Sequence, residues 1–536
     1  MPGSVSTPLA EQASDAILGA NPFVGIDPRQ LALDLGRAVQ GLAVRPWRLA
    51  SVLAAGAPQA SIDGDRRFAD PAWSDNPIYR RLGAAYVQLA ATGHRMVDES
   101  GLDPLSAQRA HFAVGLLADA LAPTNGLLTN PAALKHAFDT AGASLVRGAR
   151  NIARDVRENG GMPSTVDSRP FEVGRNVATS PGAVVYRDEV FELIQYRPTT
   201  EEIYERPVVV IPPQINKFYV LDLAPGRSFT EYAVANGLPY FAISWRNPTA
   251  AQRDWGLARY VRACVEAIDV ATSISRADAA NVVGLCAGGV TQAMVLAASR
   301  RKIASATFAV SMLDLKSPSM VGMLASDAVV AMALRRSRSR GVLDGAEMAR
   351  VFAWMRPNDL VWNYWVNNYL MGNAPPAFDI LAWNADTTRL PAALHADFLD
   401  LYVRNPLPES RQLKRVTCPS YVVAGMTDHI VPWKAAYRTT QIIGGQAEFV
   451  LSSSGHIQSI VNPPGNPKAS YRAGRADAAD PDEWLGSAYN EKGSWWEHWV
   501  RWVGSHSGEK RPAPNTLGNR KFRSRGKAPG KYVLER

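Results

Sequence analysis

Cysteine is scarce. The three in 536 residues, Cys264, Cys286 and Cys418, are odd in number and show no C-x-x-C or Cys/His ligand spacing. That excludes a disulfide framework and a zinc site of the usual kind. Long hydrophobic runs are missing too: none reaches the roughly 20 residues a membrane-spanning helix needs. The opening MPGSVSTPLAEQASDA lacks a basic segment followed by an apolar one, so no export signal is expected. A reducing cytoplasm would keep the thiols free. There is no P-loop and no dinucleotide fingerprint, so no bound cofactor and no metal are expected. A basic face suited to nucleic acid is also lacking. The formal charge is +9, but residues 509–536 hold nine Lys/Arg and two Glu, which leaves the remaining 508 residues close to neutral. This basic tail reads as a solvated or loosely packed segment, with contact to phosphates, anionic lipid or an acidic protein as the alternative. Its ending, APGKYVLER, carries an apolar stretch able to dock on the body.

What is present has the composition of a globular protein long enough for more than one domain. The first twenty residues are rich in small and polar types and read as disordered. From residue 28 to about 159 the apolar spacing is helical, as in QRAHFAVGLLADAL at 108–121, with turn signals at Asp70–Pro71 and Asn76–Pro77. His94, His111 and His136 in this region have no ligand-type spacing and read as surface or packing residues. Past Gly160 the pattern changes. Segments 183–186 and 190–196 form a hairpin, and strands at 208–211, 240–244, 282–285, 306–310, 421–424 and 448–451 follow, with helices between them such as 260–275 and 291–299. Such alternation implies right-handed crossovers and a mostly parallel sheet, with ligands gathered at the C-terminal strand ends. Between 310 and 421 the rhythm breaks for longer than a crossover requires. An inserted cap over about 317–408 is expected there. Its Trp354, Trp362, Trp365 and Trp383 would form the cap's own core, with some lining an entry path to an apolar substrate.

One stretch organises the second half. NVVGLCAGGVTQA, 281–293, reads as strand, tight turn and helix, with Gly284 and Gly288 flanking Cys286. The pattern matches the nucleophile elbow of α/β-hydrolase-type folds with cysteine in place of serine. By itself G-x-C-x-G also fits a packed core cysteine. A thiol nucleophile needs a base, and the base needs an orienting group. Asp428 follows the strand YVVAG and His456 follows EFVLSSSG, so the order nucleophile, acid, histidine is met on late strand ends. Asp314, one strand earlier, is the rival acid; His429, beside Asp428, reads as a surface residue. An oxyanion hole would use the backbone N–H of Ala287 and one from the loop after 208–211. Pro212 and Pro213 have no N–H to give, and Ile215 is the choice there. The expected fold is thus an α/β-hydrolase-type, mostly parallel sheet with an inserted cap, preceded by an all-helical N-terminal domain. Expected boundaries are 1–180, 181–508 and the tail 509–536.

Beyond the elbow the wording of the chain resembles poly(3-hydroxyalkanoate) synthases. The resemblance is carried by PPQINKFYVLDLAPGRSFTEYA (212–233), ISWRNP (243–248), GLCAGG (284–289), TDHIVPW (427–433), GHIQSIVNPPGNPK (455–468) and the closing APGKYVLER. FADPAWSDNPIYRR (68–81) and FEVGRNVATSPGAVVYRDEVFELIQYRP (171–198) extend it to nearly the whole chain. It is nearest the single-subunit, pseudomonad-type class II synthases, which favour medium-chain monomers. Short-chain monomers stay open, since preference rests on a few pocket positions, of which Leu315 is one candidate. The resemblance implies a triad on Cys286, Asp428 and His456 and a homodimer. It also implies (3R)-hydroxyacyl-CoA as substrate, with coenzyme A as the carrier that leaves, and a cytoplasmic location at the surface of polyester granules, beside granule-associated proteins. Two other readings share these residues. One is a cysteine hydrolase of esterase or dienelactone-hydrolase type; the other is a non-catalytic granule-coating protein.

Overall fold

The structure, a computed structural model, describes residues 28–54, 62–298, 303–316 and 327–536. The expectation for the first twenty residues and the expected start of the cap, 317–326, lie outside the described residues. In the N-terminal part the described chain is helical: Pro28–Ala43, Pro46–Ala54, Pro77–Glu99, Pro104–Ala120, Pro131–Asp139 and Ala143–Glu158. Three of these begin in the same way. The side chains of Asn76, Asp103 and Asn130 accept from the first free backbone amides, and a proline follows each at the first helical position, where no N–H is needed. His94 and His111, read from the sequence as surface or packing residues, pack against each other. Their rings stack with the Nδ1 atoms 2.9 Å apart, and His111 Nε2 lies 3.0 Å from Asp98.

The strands are β1 (Gly182–Arg187), β2 (Phe191–Tyr196), β3 (Glu202–Tyr204), β4 (Val208–Ile211), β5 (Tyr240–Trp245), β6 (Ala280–Leu285), β7 (Ile303–Ala309), β8 (Val342–Leu343), β9 (Leu390–Pro391), β10 (Ser420–Gly425), β11 (Ala447–Ser452), β12 (Ser470–Arg475), β13 (Tyr489–Lys492) and β14 (Lys510–Pro512). Ten of them make one sheet in the order β1-β2-β5-β4-β6-β7-β10-β11-β12-β13. The six from β5 to β11 are parallel, and an antiparallel pair flanks each end. The parallel strands are short apolar runs buried on both faces, as a covered parallel sheet requires. Alternate side chains enter opposite cores. Val422 and Ala424 of β10 face the helices Leu257–Ser275, Ala287–Ala298 and Trp433–Ile442, while Tyr421 and Val423 face Phe229–Ala235 and Trp495–Gly504.

Between β7 and β10 the described chain is again mostly helical, with Asp327–Arg340, Gly345–Met355, Asp379–Ala385 and Ala392–Arg404. Two π-helical turns, Asn358–Trp362 and Trp365–Leu370, lie among them. These turns meet the N-terminal helices directly. Trp365 Nε1 donates to the Asn125 carbonyl at 3.0 Å, the Tyr369 hydroxyl donates to Asp155 at 2.9 Å, and Asn151 donates to the Asn368 carbonyl at 2.8 Å. Strand-to-strand pairing is therefore not the only link across the chain; N-terminal helices and insertion grip each other.

Two features of the sheet and the tail differ from the sequence reading. Strands β12 and β13, SYRAGR and YNEK, extend the sheet past the expected strands; β13 is the exposed edge, while β12 is paired on both sides and buries only Tyr471 and Ala473. The tail is not loosely packed. Residues 525–528 run along β1, with Arg525 N donating to the Val184 carbonyl at 2.7 Å, Val184 N to Gly526 at 2.9 Å and Ala528 N to Gly182 at 3.0 Å. The reason is the open edge of β1, whose backbone groups need partners. Beyond it, the fully buried carboxylate of Glu192 accepts from Lys531 N at 2.7 Å and Tyr532 N at 3.0 Å, and its other oxygen takes Arg187 Nε at 2.6 Å. Glu192→Ala is expected to leave Arg187 and the two amides without their acceptor and to cost about 3–5 kcal/mol. Urea unfolding measures the loss. Trypsin should cut the 521–531 segment earlier in this variant, and wild-type stability together with wild-type resistance would show that Glu192 does not hold the tail.

Candidate active site

Strand β6 ends at Leu285, and the helix Ala287–Ala298 begins two residues later, so Cys286 alone makes the turn. Its φ of 49° lies in the left-handed region that L-residues avoid, which is the strain a nucleophile elbow stores. Neighbours hold it there. Cys286 N donates to the Ala309 carbonyl at 2.9 Å, and the Cys286 carbonyl accepts from Gly289 N at 2.9 Å and from Ser311 Oγ at 2.8 Å. The flanking glycines are required by close approach. A Cβ on Gly284 would come within 2.7 Å of the Gly289 Cα, and one on Gly288 would overlap the Ile211 carbonyl at the end of β4. Cys286 is 9% exposed and stands at the N-terminus of a 12-residue helix, whose free amides favour negative charge.

Asp428 and His456 follow β10 and β11, adjacent strands of the sheet. Asp428 Oδ2 lies 2.6 Å from His456 Nδ1, with both side chains fully buried. Asp428 Oδ1 accepts from Ile430 N and Val431 N, each at 2.9 Å, so the carboxylate is fixed on both oxygens. Burial disfavours a charged imidazole. The Asp428 charge and hydrogen bond, with the Cys286 thiol adding to them, outweigh that cost and push the His456 ring up to about 10. His456 Nε2 is buried without a conventional hydrogen bond among the described residues, on a ring whose neighbours include Cys286.

The rival acid is elsewhere. Asp314 accepts from Arg438 Nη1 at 2.7 Å and from Asn405 Nδ2 at 2.9 Å, an ion pair at the base of the insertion rather than a partner for histidine. His429 is not a surface residue. Burial, and after it the Arg356 guanidinium, push its ring down to about 4, and its Nε2 is buried. Ala287 opens the elbow helix and lines a cavity with Cys286. Ile215 is buried in the loop after β4, and the carbonyls of that loop are tied outward. Pro212 accepts from Trp245 Nε1 at 3.0 Å, Gln214 and Ile215 accept from the Thr388 hydroxyl, and Lys217 accepts from Trp383 Nε1 at 2.8 Å. Gln214 Nε2 reaches Thr291 Oγ1 of the elbow helix at 3.0 Å, joining loop to elbow.

These loop partners were not anticipated from sequence, and neither was the brace on the histidine. The helix Trp495–Gly504 sends Trp495 Nε1 to the Ser459 carbonyl at 2.6 Å and Trp496 Nε1 to the Ile460 carbonyl at 3.1 Å, pinning the turn that begins at His456. The helical spacing of WWEHWVRW was the available signal. Of the cap tryptophans, Trp383 ties down the loop as described. Trp354, Trp362 and Trp365 contact one another edge to face, with centroids 6.3 and 6.1 Å apart. The cavity beside the thiol, about 40 Å³, takes its aromatic wall from Phe398 and Tyr402, with Met312, Leu315 and Val431. Among the described residues no group of three or more His, Cys, Asp or Glu is arranged to hold a metal.

Sheet order, the strand–turn–helix elbow at Cys286 and the late-strand pair Asp428–His456 define a protein of the α/β hydrolase fold. A family model described as "alpha/beta hydrolase fold" matches residues 207–463, and one described as "Poly-beta-hydroxybutyrate polymerase (PhaC) N-terminus" matches 64–233. The chain is 46% identical over 553 residues to poly(3-hydroxyalkanoate) polymerase 1 of Ectopseudomonas oleovorans, covering 98% of this chain and 99% of that one. To polymerase 2 of the same organism it is 50% identical over 486 residues, covering 88% and 87%. To a poly(3-hydroxyalkanoate) polymerase subunit of Cupriavidus necator it is 39% identical over 491 residues, covering 88% and 83%. The chain belongs to the poly(3-hydroxyalkanoate) polymerase family.

A ring whose proton affinity the fold raises contributes stability that is complete below about 6.5, the ordinary histidine value. That contribution is lost as pH rises through about 10. Asp428→Asn removes the carboxylate behind it. The variant is expected to lose on the order of a few kcal/mol at pH near 6 and progressively less toward pH near 10. Urea melts across that window measure the difference, and a pH-independent loss would mean that the pair does not hold the proton as described.

Proposed function

We propose that the chain is a polyhydroxyalkanoate synthase that polymerises (3R)-hydroxyacyl-CoA into polyester and releases coenzyme A, with Cys286 as nucleophile, His456 as base and Asp428 as its orienting group. The observation that carries this reading is the buried Asp428–His456 pair, 2.6 Å apart, with the elbow thiol Cys286 among the neighbours that act on the ring. Family membership supplies the substrate class, since the relatives are named poly(3-hydroxyalkanoate) polymerases.

The chemistry runs in two transfers. The Cys286 sulfur attacks the thioester carbonyl as the thiolate, its proton held on His456 Nε2, whose raised proton affinity favours the thiolate–imidazolium pair. The bond to the coenzyme A sulfur then breaks, and the leaving thiolate recovers that proton, so the acyl group rests on Cys286. Exchange of one thioester for another is nearly balanced in energy. In the second transfer the 3-hydroxyl of the next unit attacks the acyl-cysteine carbonyl and gives its proton to His456. An ester C–O bond forms, the C–S bond to Cys286 breaks, and the thiol is restored. Asp428, held by two backbone amides, keeps Nε2 directed to the sulfur and balances the imidazolium charge. Oxyanion donors are the N–H groups of Ala287, at the helix N-terminus, and Ile215, in a loop whose carbonyls are engaged elsewhere. Water would divert the acyl-enzyme to free acid. The low exposure of Cys286 and His456, 9% and 1%, supports transfer to a hydroxyl instead.

The small apolar cavity walled by Met312, Leu315, Phe398 and Tyr402 borders the thiol where an acyl chain would begin, and medium-chain monomers of the class II type are the expected substrates. No bound cofactor is required; coenzyme A is the leaving carrier. The enzyme works as a homodimer in the cytoplasm at the granule surface, in contact with the growing polyester and with granule-associated proteins. In the described residues no helix is long and apolar enough to cross a membrane.

Cys286→Ala is expected to lower coenzyme A release by at least about 10³-fold and to yield no polymer. Cys264 is buried in the core and Cys418 partly so, with burial raising both thiols, Cys418 to about 11, and Ala at either position should retain activity within a few-fold. The assay is thiol release from 3-hydroxyacyl-CoA monomers of graded length, together with mass analysis of the product. Polymer from the Cys286 variant would remove the nucleophile assignment, and soluble 3-hydroxy acid as the wild-type product would make the chain a hydrolase.

A further inference from the structure

The basic tail is not used by the proposed chemistry, yet its packing builds a second concave surface. After β14, residues 514–524 fold back toward the ends of Leu257–Ser275 and β3 and enclose a cleft of about 670 Å³. Four arginines line it, Arg276, Arg511, Arg520 and Arg523, over an apolar floor that includes Ile203 and Leu517. No aspartate or glutamate lines the cleft. Among the described residues none of the four guanidinium groups forms an ion pair with a carboxylate. Arg511 instead donates to the main-chain carbonyls of Ser275 and, at 3.5 Å, Glu205. The other three are exposed and keep their donors.

Clustering like charges is unfavourable without a counter-ion, and solvated arginines elsewhere on this chain commonly find a carboxylate: Arg206 with Asp278, Arg475 with Asp477, Arg169 with Asp167. Here the backbone is fixed while the charge is left unmatched. Gly518 N donates to Gln195 Oε1 at 2.7 Å, Asn519 Nδ2 donates to the Ser273 carbonyl at 3.2 Å, and Asn519 Oδ1 accepts from Lys521 N and Phe522 N at 2.9 and 2.8 Å. The cleft's volume falls within the roughly 300–1,000 Å³ of small-molecule sites. The planar guanidinium fork matches phosphate oxygens, and several forks converging on one concavity suit a ligand with more than one phosphate charge.

We infer that this cleft is a binding site for a free oligophosphate group, separate from the active site. It adjoins Ser275 and Arg276, which precede β6, whereas Cys286 follows it. Six residues of strand put about 20 Å between the two ends, so an anion held here does not touch the thiol. A concave pocket, rather than a flat basic face, selects a free anion over a lipid surface.

The test is isothermal titration of the full-length chain with sodium tripolyphosphate at about 50 mM and about 200 mM salt. One saturable site is expected, weaker at the higher salt. The double variant R520E/R523E should bind at least about tenfold more weakly, with unchanged coenzyme A release and thermal midpoint. Arg276→Gln should weaken binding in the same direction should the double variant fold poorly. Arg80→Glu, on an exposed N-terminal helix, serves as the control and should bind like wild type. Lack of saturation overturns the site, as does an equal loss in the Arg80 variant. Binding to phosphatidylglycerol vesicles with none to tripolyphosphate also overturns it, in favour of a surface contact.

Discussion

Everything in the candidate site depends on how closely strand β4, strand β6 and the helix after Cys286 approach one another. The backbone must reverse within a single residue, and the room for that reversal exists only because Gly284 and Gly288 offer no Cβ to the Gly289 backbone and the Ile211 carbonyl. Packing forces Cys286 into a positive φ that cysteine would not choose, and three hydrogen bonds to its own backbone stabilise it there. The result is a thiol presented at a helix N-terminus by a rigid sheet. Proximity does the rest, because β10 and β11, two and three places along the sheet from β6, deliver the carboxylate and imidazole to the same edge.

Around this elbow, three parts of the chain far apart in sequence act as braces. The insertion holds the loop after β4 through Thr388 and Trp383. The N-terminal helices hold the insertion through Asp155, Asn151 and Asn125. The tail holds the far side. The Glu535 carbonyl accepts from Lys217 Nζ at 2.6 Å, its carboxylate accepts from Asn247 N at 3.1 Å, and Arg389 of the insertion donates to the Arg536 carbonyl at 2.7 Å. The loop that carries the proposed oxyanion donor Ile215 is therefore held directly by the insertion, through its carbonyls, and by the tail, through Lys217, while the N-terminal helices act on it only through the insertion.

Much of this was legible in the sequence for a physical reason. Central parallel strands are buried on both faces, so 208–211, 282–285 and 421–424 read as unbroken apolar runs bounded by turn residues. Cys286, Asp428 and His456 were found together because the fold orders such groups along the chain and a turn with two glycines marks the first. Strands β12 and β13 were not legible, since β12 buries only Tyr471 and Ala473 and β13, as an exposed edge, places no demand on side-chain pattern. The apolar ending APGKYVLER was readable as a docking segment, and Tyr532 and Val533 are buried, but packing of the basic stretch before it was hidden. It rests on backbone groups of β1 and on one buried glutamate in β2, and nothing in the tail's own composition distinguishes a solvated basic segment from a packed one. His429 was misread because its neighbour Arg356 comes from the insertion, more than seventy positions earlier.

The indole braces on the His456 turn have a consequence for how the molecule fails. Ser459 and Ile460 are held by Trp495 and Trp496, which belong to a helix packed on the opposite core from the elbow helix. The imidazole is thus anchored from behind the sheet, by an element that contributes no strand to it. Local opening of that single helix would release the base while the sheet, the thiol and the carboxylate stay in place. Opening of this kind would remove the proposed base ahead of global unfolding, which makes the docking of one tryptophan-rich helix the point at which the site is open to sub-global loss.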